Sequence, residues 1–411
     1  MGYYFRQRIS VGPRYRYPSR WTKRLITSLF ASSIKEGRVG LQFKDEIVEV
    51  GFGQYVTTIA PPSFIRLLRM LLRPDFRVPS YYTEGYWCCE SGKLYEFLEL
   101  LILQKVSPFH AWFRLFNWNP IRDRVIYRLF PLKVKENIAA HYNTSPKFMK
   151  LILGERLEYT CAFFDESHSS LDSAQQNKIE TVIRRLDLSS EHQVLDLGCG
   201  WGQIAEAVVQ KVGARVTCVN ISKNQIEFAK QRRSSDLLRF VWSDYESFQA
   251  DHKFDRVYSI GMLEHVGRGW LGNYFRKISG LLAPGGRALV HCIVRRRPGS
   301  TNSWIDNEIF PGAYIPRLSE ITEAIDRSGL LIEQVYTHDK SNYFKTLLAW
   351  TRNFHENERE LCRLLASDGL SEPDIETIMR IWEFYLHGSR LVFNEKSGYC
   401  YNAQILLRHL R

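Results

Sequence analysis

The sequence predicts an α/β chain, a doubly wound and mostly parallel seven-stranded sheet accompanied by a smaller N-terminal α+β domain. Three observations carry that prediction. The 411 residues, 45% hydrophobic and 13% aromatic, supply enough apolar surface for two packed cores. From residue 193 onward short apolar runs alternate with amphipathic ones, the pattern of parallel strands joined by crossover helices. Val194-Leu195-Asp196-Leu197 then runs straight into Gly198-Cys199-Gly200-Trp201-Gly202, a strand entering a turn with three glycines in five positions.

Taken in order, residues 1–28 form a basic extension rich in Arg and Tyr, with no apolar core of the kind a signal peptide needs. Residues 29–135 read as a separate small α+β domain and linker, in which Pro61-Pro62, Arg73-Pro74 and Val78-Pro79 break any long element. Its last part, 107–135, interleaves aromatics with arginines (Trp112, Phe113, Arg114, Trp118, Arg124) and suits an interfacial helix or linker; a buried inter-domain helix explains it nearly as well. Residues 136–411 form the larger domain. Its strands are expected at 193–197, 215–220, 238–242, 256–260, 287–294, 331–337 and 400–407, with helices at 203–212, 222–233, 270–282 and 318–328. A helical insertion over 340–390 follows from Trp350, Phe354, Leu361, Leu364, Ile378, Trp382 and Tyr385 at helical spacing.

Charge is uneven. Residues 1–135 hold 22 Lys and Arg against 10 Asp and Glu, which accounts for the whole formal charge of +12 and leaves the remainder neutral. A basic third beside a neutral remainder suits a polyanion, either a nucleic acid or an anionic membrane surface, while a solvated basic face is the plain alternative. The eight cysteines form no C-x-x-C pair and several sit in apolar strands, as reduced cytosolic residues do. No run approaches 18 apolar residues, so membrane contact is expected to be peripheral.

The glycine turn is where chemistry is expected. Gly198, Gly200 and Gly202 let the backbone take positive φ and approach a ligand, while the helix that follows points free N–H groups at it. Dinucleotide folds space these glycines G-x-G-x-x-G; here the spacing is G-x-G-x-G, and Asp196 stands two residues before the first. A carboxylate there repels a pyrophosphate but holds a cation, which favours the methionyl end of S-adenosylmethionine over NAD. A glycine turn alone also serves as a tight strand-to-helix connection.

Further segments occur in a fixed order: His141-Tyr142-Asn143, Glu158-Tyr159-Thr160-Cys161-Ala162, Ser173-Ala174-Gln175-Gln176-Asn177-Lys178, the glycine turn, Ile221-Ser222-Lys223-Asn224-Gln225, Gly261-Met262-Leu263-Glu264-His265-Val266-Gly267, Trp304-Ile305 and Ile309-Phe310-Pro311. Together they resemble the cyclopropane-fatty-acyl-phospholipid synthase family, S-adenosylmethionine-dependent enzymes that act on unsaturated acyl chains. Glu84-Gly85-Tyr86-Trp87 extends the likeness, more weakly, to that family's N-terminal lipid-associated domain. The resemblance implies a class I Rossmann-like methyltransferase and carries cofactor roles onto Tyr159, Thr160, Gly198, Gly200, Gln225, Trp242 and Ile260. To these the residues themselves add Asp196, Gly202 and Asn220, where a neutral amide would meet a ribose hydroxyl.

In that family a cis double bond takes the methyl group from sulfur, and the resulting cation closes to a ring when a base removes a proton from the new carbon. The base is a bound bicarbonate, implied here to be held by Cys161, Glu264, His291, Ile293 and Tyr343. Taken singly, each has a plainer reading: a core histidine, a packed thiol, a tyrosine against Trp350. Phe163, Phe164, Tyr274 and Phe344 join Tyr343 as aromatic faces for a cation. His265 is left aside, since strand alternation would turn it away from Glu264. No metal is expected. Asn143, Leu263 and Ser389 depart from the common family residues and put substrate shape in question.

The expected function is therefore cyclopropanation of unsaturated phospholipid acyl chains, with S-adenosyl-L-methionine and bicarbonate. The partners are those acyl chains and the anionic inner face of a membrane, from a cytoplasmic and peripheral position; no nucleic acid is expected, and a homodimer is compatible. Methyl transfer without ring closure and methylation of a small molecule are the alternatives within the enzyme class. A nucleic-acid methyltransferase and a catalytically dead lipid-binding protein are disfavoured by the acyl-type motif and by the intact glycine turn.

Overall fold

The structure, a computed structural model, describes residues 14–44, 46–103, 145–232, 235–299, 301–396 and 398–410. Residues 1–13, the aromatic and arginine-rich stretch 107–135 and His141-Tyr142-Asn143 lie outside the described residues. The chain divides into two compact units: Met1–Trp118 with Asn302–Trp304 and Cys362–Val392, and Asn119–Thr301 with Ile305–Leu361 and Phe393–Arg411.

The first unit opens with α1 (Arg20–Ser33), β1 (Gly37–Gln42), β2 (Ile47–Phe52) and β3 (Tyr55–Ala60), followed by α2 (Phe64–Leu72), α3 (Pro74–Thr83), β4 (Cys88–Cys89) and α4 (Leu94–Leu103). Its sheet has the order β2-β1-β3-β4, with β1 antiparallel to β2 and parallel to β3. Pro74 separates α2 from α3 by opening α3, where a missing N–H costs nothing. Pro79, expected to break an element, is instead accommodated inside α3.

In the second unit α5 (Pro146–Leu153) and α6 (Leu171–Arg185) precede the sheet. Ser170 and Ser173 cap α6 reciprocally. The strands are β5 (Gln193–Leu197), β6 (Arg215–Asn220), β7 (Leu238–Trp242), β8 (Phe254–Ile260), β9 (Leu282–Arg295), β10 (Leu330–His338) and β11 (Cys400–His409). Between them lie α7 (Gln203–Val212), α8 (Lys223–Arg232), α9 (Leu271–Leu281) and α10 (Leu318–Asp326). The seven-stranded sheet has the order β10-β11-β9-β8-β5-β6-β7; β9-β8-β5-β6-β7 are mutually parallel and β11 runs antiparallel between β9 and β10. The chain reverses direction across the sheet at β5, which places a crevice beyond its carboxyl end.

The helical stretch expected over 340–390 is helical but divided. α11 (Lys340–Glu356) stays with the second unit, whereas most of α12 (Glu358–Ser367) and all of α13 (Glu372–Val392) group with the first. The reason is what α13 buries: Phe384 lies 5.6 Å from the Tyr82 ring, Tyr82 donates to Glu383 at 2.5 Å, and Arg390 lies 4.0 Å over Tyr95.

Strand alternation gives the large sheet two apolar faces. One packs Leu195, Leu197, Val257, Val290 and Ile405 against α9 and α10; the other packs Val194, Val216, Tyr258, Leu289 and Leu406 against α6, α7 and α8. Toward the carboxyl ends of the parallel strands that second face turns polar. Asp196 follows Val194, His291 follows Leu289, and Gln404 and Asn402 precede Leu406, all of them buried. Buried polar side chains in such a row need partners or a ligand. Among the described residues no helix is long and apolar enough to cross a membrane.

Candidate active site

A cleft of ≈ 1410 Å³, its open mouth included, lies beyond β5, β6 and β8, large enough for a nucleoside-sized ligand. Its floor is the glycine turn, held in place where the Gly198 and Cys199 N–H groups both donate to the Val219 carbonyl, at 2.9 and 3.1 Å. Gly200 has φ +52° and nothing within 4 Å of where a Cβ would stand, so a ligand can come up to the backbone there. Gly202, also expected to touch the cofactor, plays another part. It does not wall the cleft, and a Cβ on it would meet the Phe240 ring at 2.9 Å, so its bareness lets α7 pack on the sheet.

Asp196 walls the cleft from the end of β5. Its carboxyl is buried, one oxygen has no hydrogen-bond partner among the described residues, and burial pushes its pKa up to about 8 against the opposing effect of the Tyr258 hydroxyl. A carboxylate in this position is stabilised by a cation, and among the described residues no cationic side chain acts on it.

Asn220 and Gln225 also wall the cleft, tied to one another. The Asn220 amide nitrogen donates to the Gly200 carbonyl at 3.1 Å and to Gln225 Oε1 at 2.7 Å. Both amide hydrogens of Asn220 are thus spent inside the protein, and its oxygen, which already accepts from the Ser222 N–H at 3.4 Å, keeps one lone pair for a ligand hydroxyl. Ile260 supplies an apolar wall. Trp242 is placed differently from the expectation: it does not wall the cleft, is 60% exposed, and its indole N–H donates to the Ile221 carbonyl at 2.9 Å.

Tyr159 and Thr160 close the opposite side, and the Ser173–Lys178 motif shows how they are held. Fully buried Lys178 pairs with Glu158 and donates to Thr160 Oγ1 at 2.7 Å and Gln175 Oε1 at 2.6 Å, while Gln175 donates to the Thr160 carbonyl at 3.0 Å. The sequence marked this motif without assigning it a task; clamping segment 158–160 is that task. Asp244, Trp201 and His265 also wall the cleft and were not singled out as cofactor-contacting. His265 was set aside on strand alternation, but Leu263–His265 is a single 3-10 turn in which the alternation does not apply.

The five residues of the expected base site lie off the cleft wall, and two of them, Glu264 and Ile293, are joined by a hydrogen bond. Glu264 accepts from the Ile293 N–H at 2.6 Å, its other oxygen has no partner among the described residues, and burial pushes its carboxyl pKa up to about 7. Ile293 therefore positions Glu264 with its N–H and has no free donor for an anion. His291, two residues earlier on the same face of β9, is held well below the usual imidazole range by burial first and by nearby positive groups second. The Phe163 ring lies 5.5 Å from it. Cys161, two residues before Phe163, is a buried thiol pushed up to about 12, which makes it a neutral wall. The Ala162 N–H donates to Thr346 on α11 at 3.0 Å, one turn from Tyr343, whose ring lies 4.5 Å from Phe393. Tyr274 packs in the core against Phe275.

The family model described as mycolic acid cyclopropane synthetase matches residues 132–403. The chain belongs to this family. Its similarity to the probable fatty acid methyltransferase of Pseudomonas putida is 33% identity over 270 residues, 63% of this chain and 66% of that protein, so the match spans just under two thirds of that relative. The cyclopropane-fatty-acyl-phospholipid synthase of Escherichia coli (strain K12) is 26% identical over 345 residues, 82% of this chain and 83% of that one. Among solved structures, mycolic acid cyclopropane synthase CmaA1 complexed with SAH and CTAB superposes with a TM-score of 0.59 at 28% identity, covering 67% of this chain and 98% of that one. Coclaurine N-methyltransferase, at 19% identity and a TM-score of 0.62, shares the fold.

Proposed function

We propose that the chain is an S-adenosylmethionine-dependent enzyme that converts cis double bonds in phospholipid acyl chains to cyclopropanes, with bound bicarbonate as general base. The observation that carries the reading is the buried Asp196 carboxyl, one oxygen of which has no partner among the described residues, above an open Gly200, a cradle for a ligand that is flat at one end and cationic at the other. When bound, S-adenosylmethionine supplies a methyl group made electrophilic by its sulfonium sulfur. Asp196 would hold the cationic end, with Gln225 and Asn220 on the nucleoside side and Tyr159 and Thr160 closing over it.

The residues beside the cleft fit a small planar anion. His291 Nδ1 and one Glu264 oxygen are both buried and without hydrogen bonds among the described residues, so they can respectively donate to and accept from bicarbonate. Cys161 and Tyr343 would exclude water, which would otherwise trap a carbocation. The basic first unit is the part suited to an anionic membrane. The names of the relatives from P. putida and from Mycobacterium tuberculosis, both probable fatty acid methyltransferases, favour a second reading, methyl transfer without ring closure.

Purified protein incubated with S-adenosylmethionine and vesicles of monounsaturated phospholipid tests both readings. A gain of one CH₂ on the acyl chain with cyclopropane proton resonances supports the first; the same gain with exocyclic-methylene or methyl-branched olefinic resonances supports the second. Absence of any methyl transfer to lipid refutes both.

A further inference from the structure

We propose that α1 and α2 form a docking face for an anionic lipid bilayer, an inference that rests on the membrane-lipid reading above and names the surface that would serve it. α1 exposes Trp21 and Leu25 one turn apart, at 91% and 52%, beside exposed Arg20 and Arg24. α2 exposes Ile65, Leu68 and Leu72, at 65%, 43% and 54%, among exposed Arg69 and Arg73, although its inner face already buries Leu67 and Met70. α2 is thus apolar on two sides, and the core uses only one. The two helices pack on each other within one unit.

Five large apolar side chains directed at water are a costly arrangement, and such patches mark interaction sites. Charge chooses the occupant. Neither helix contains an Asp or Glu, and although Glu46 pairs with Lys23 of α1, the exposed charges of the helices themselves are cations, so that the apolar stripes match acyl tails below and the cations match anionic headgroups above. A protein groove would require acidic partners for every arginine; a bilayer supplies anions continuously. This surface differs from the stretch 107–135 that the sequence had suggested for the same task.

Flotation of the full chain with phosphatidylglycerol-containing vesicles and with pure phosphatidylcholine vesicles tests the assignment. The wild type should float with the anionic vesicles and be released by salt. L68E/L72E should abolish flotation without changing the melting temperature, and R69Q/R73Q should weaken it roughly 20- to 30-fold, about fivefold per cation. Wild-type flotation by L68E/L72E overturns the proposal. So does a change of oligomeric state in that variant with lipid binding intact, which would mean that the face covers a second copy. Lipid binding through this face without methyl transfer to phospholipid would leave the docking face standing and refute the substrate.

A different observation carries a second inference: the geometry points to Asn402 as a positioning residue that fixes the tautomer of His291. β11 pairs with β9 so that Gln404 opposes His291 and Asn402 opposes Ile293, which puts the Asn402 side chain diagonally against the imidazole. Its amide nitrogen stands 3.4 Å from His291 Nε2. With the amide nitrogen, and not the equally buried Oδ1, facing the ring, Nε2 accepts and the single proton of the neutral ring belongs on Nδ1. Nδ1 is buried and has no hydrogen bond among the described residues, as a donor reserved for a small anion would be. With Nε2 engaged and Nδ1 protonated, His291 can hold the base but cannot itself be the base. This inference rests on the bicarbonate reading.

¹⁵N-histidine NMR, with the resonance assigned through H291Q, should show Nδ1 protonated in the wild type. N402D, an isosteric acceptor, should move the proton to Nε2, raise the bicarbonate concentration needed for half-maximal rate at least tenfold and leave S-adenosylmethionine affinity unchanged. N402S, which keeps a donor, should restore much of the bicarbonate response. A wild-type ring protonated on Nε2, or N402D with an unaltered bicarbonate response, overturns the assignment. A wild type that needs no bicarbonate at all would refute the base while the tautomer measurement remained decisive for Asn402.

Discussion

Asp196 should make cofactor binding release a proton, and Asp196→Asn should remove that release while stabilising the empty protein. Burial holds the free carboxyl near a pKa of about 8, so at pH 7 about nine molecules in ten carry the proton there. A sulfonium cation bound beside it requires the carboxylate. Affinity should therefore fall roughly tenfold per pH unit below 8, and titration calorimetry in buffers of different ionisation enthalpy should show about 0.9 proton released per cofactor at pH 7. The stability effect has the opposite sense. Because the folded value lies above the unfolded one, the unfolded chain gives up this proton first as pH rises, and the empty fold loses up to about 1.4 kcal/mol per unit between roughly pH 4 and 8. Asp196→Asn should flatten both slopes, raising the melting temperature of the empty protein more at pH 7 than at pH 5. Proton release that persists in Asp196→Asn, or a wild-type affinity independent of pH between 6 and 8, would falsify the role given to this carboxyl.

The other predictions test separate parts of the site. Glu264→Gln and His291→Ala should each lower turnover by about 10²–10⁴-fold with cofactor affinity kept, and added bicarbonate should recover part of the His291→Ala loss. Since one Glu264 oxygen accepts from Ile293 and the other is a bare acceptor only when the carboxyl is ionised, wild-type turnover should rise as pH passes about 7, and Glu264→Gln should lack that limb in a pH–rate profile. Gly200→Val should abolish cofactor binding in calorimetry from a folded protein, because the new side chain occupies the ligand's approach. Gly202→Ala, driven into Phe240 at positive φ, should instead lower the melting temperature, by the equivalent of about 1–3 kcal/mol, while the molecules that do fold keep their affinity. Lys178→Met should cost about 3–5 kcal/mol in chemical denaturation by stranding buried Glu158.

What the sequence disclosed follows from which interactions are local. The seven strands of the second unit were legible because each is a short apolar run bounded by turn residues, and a buried parallel strand has no other way to be written. The glycine turn was legible because positive φ at three close positions constrains composition directly. Trp242 and Gly202 were harder, since an aromatic at a strand end can face a cleft or lie outside it, and a glycine can admit a ligand or a neighbouring ring; only the three-dimensional placement of Ile221 and Phe240 distinguishes these cases. The strand geometry on which His265 was set aside does not hold, for a local reason, because a single 3-10 turn takes its place. The placement of 362–392 depends on contacts such as Tyr82 with Glu383, 301 residues apart, and no periodicity in α13 reports which unit its apolar face will meet. Asn402 is the clearest case. In the sequence it is one polar residue in the strand expected at 400–407, with nothing beside it to single it out. Only the antiparallel register of β11 on β9 brings it against His291 and turns an unpromising asparagine into the group that decides which nitrogen of the imidazole carries the proton.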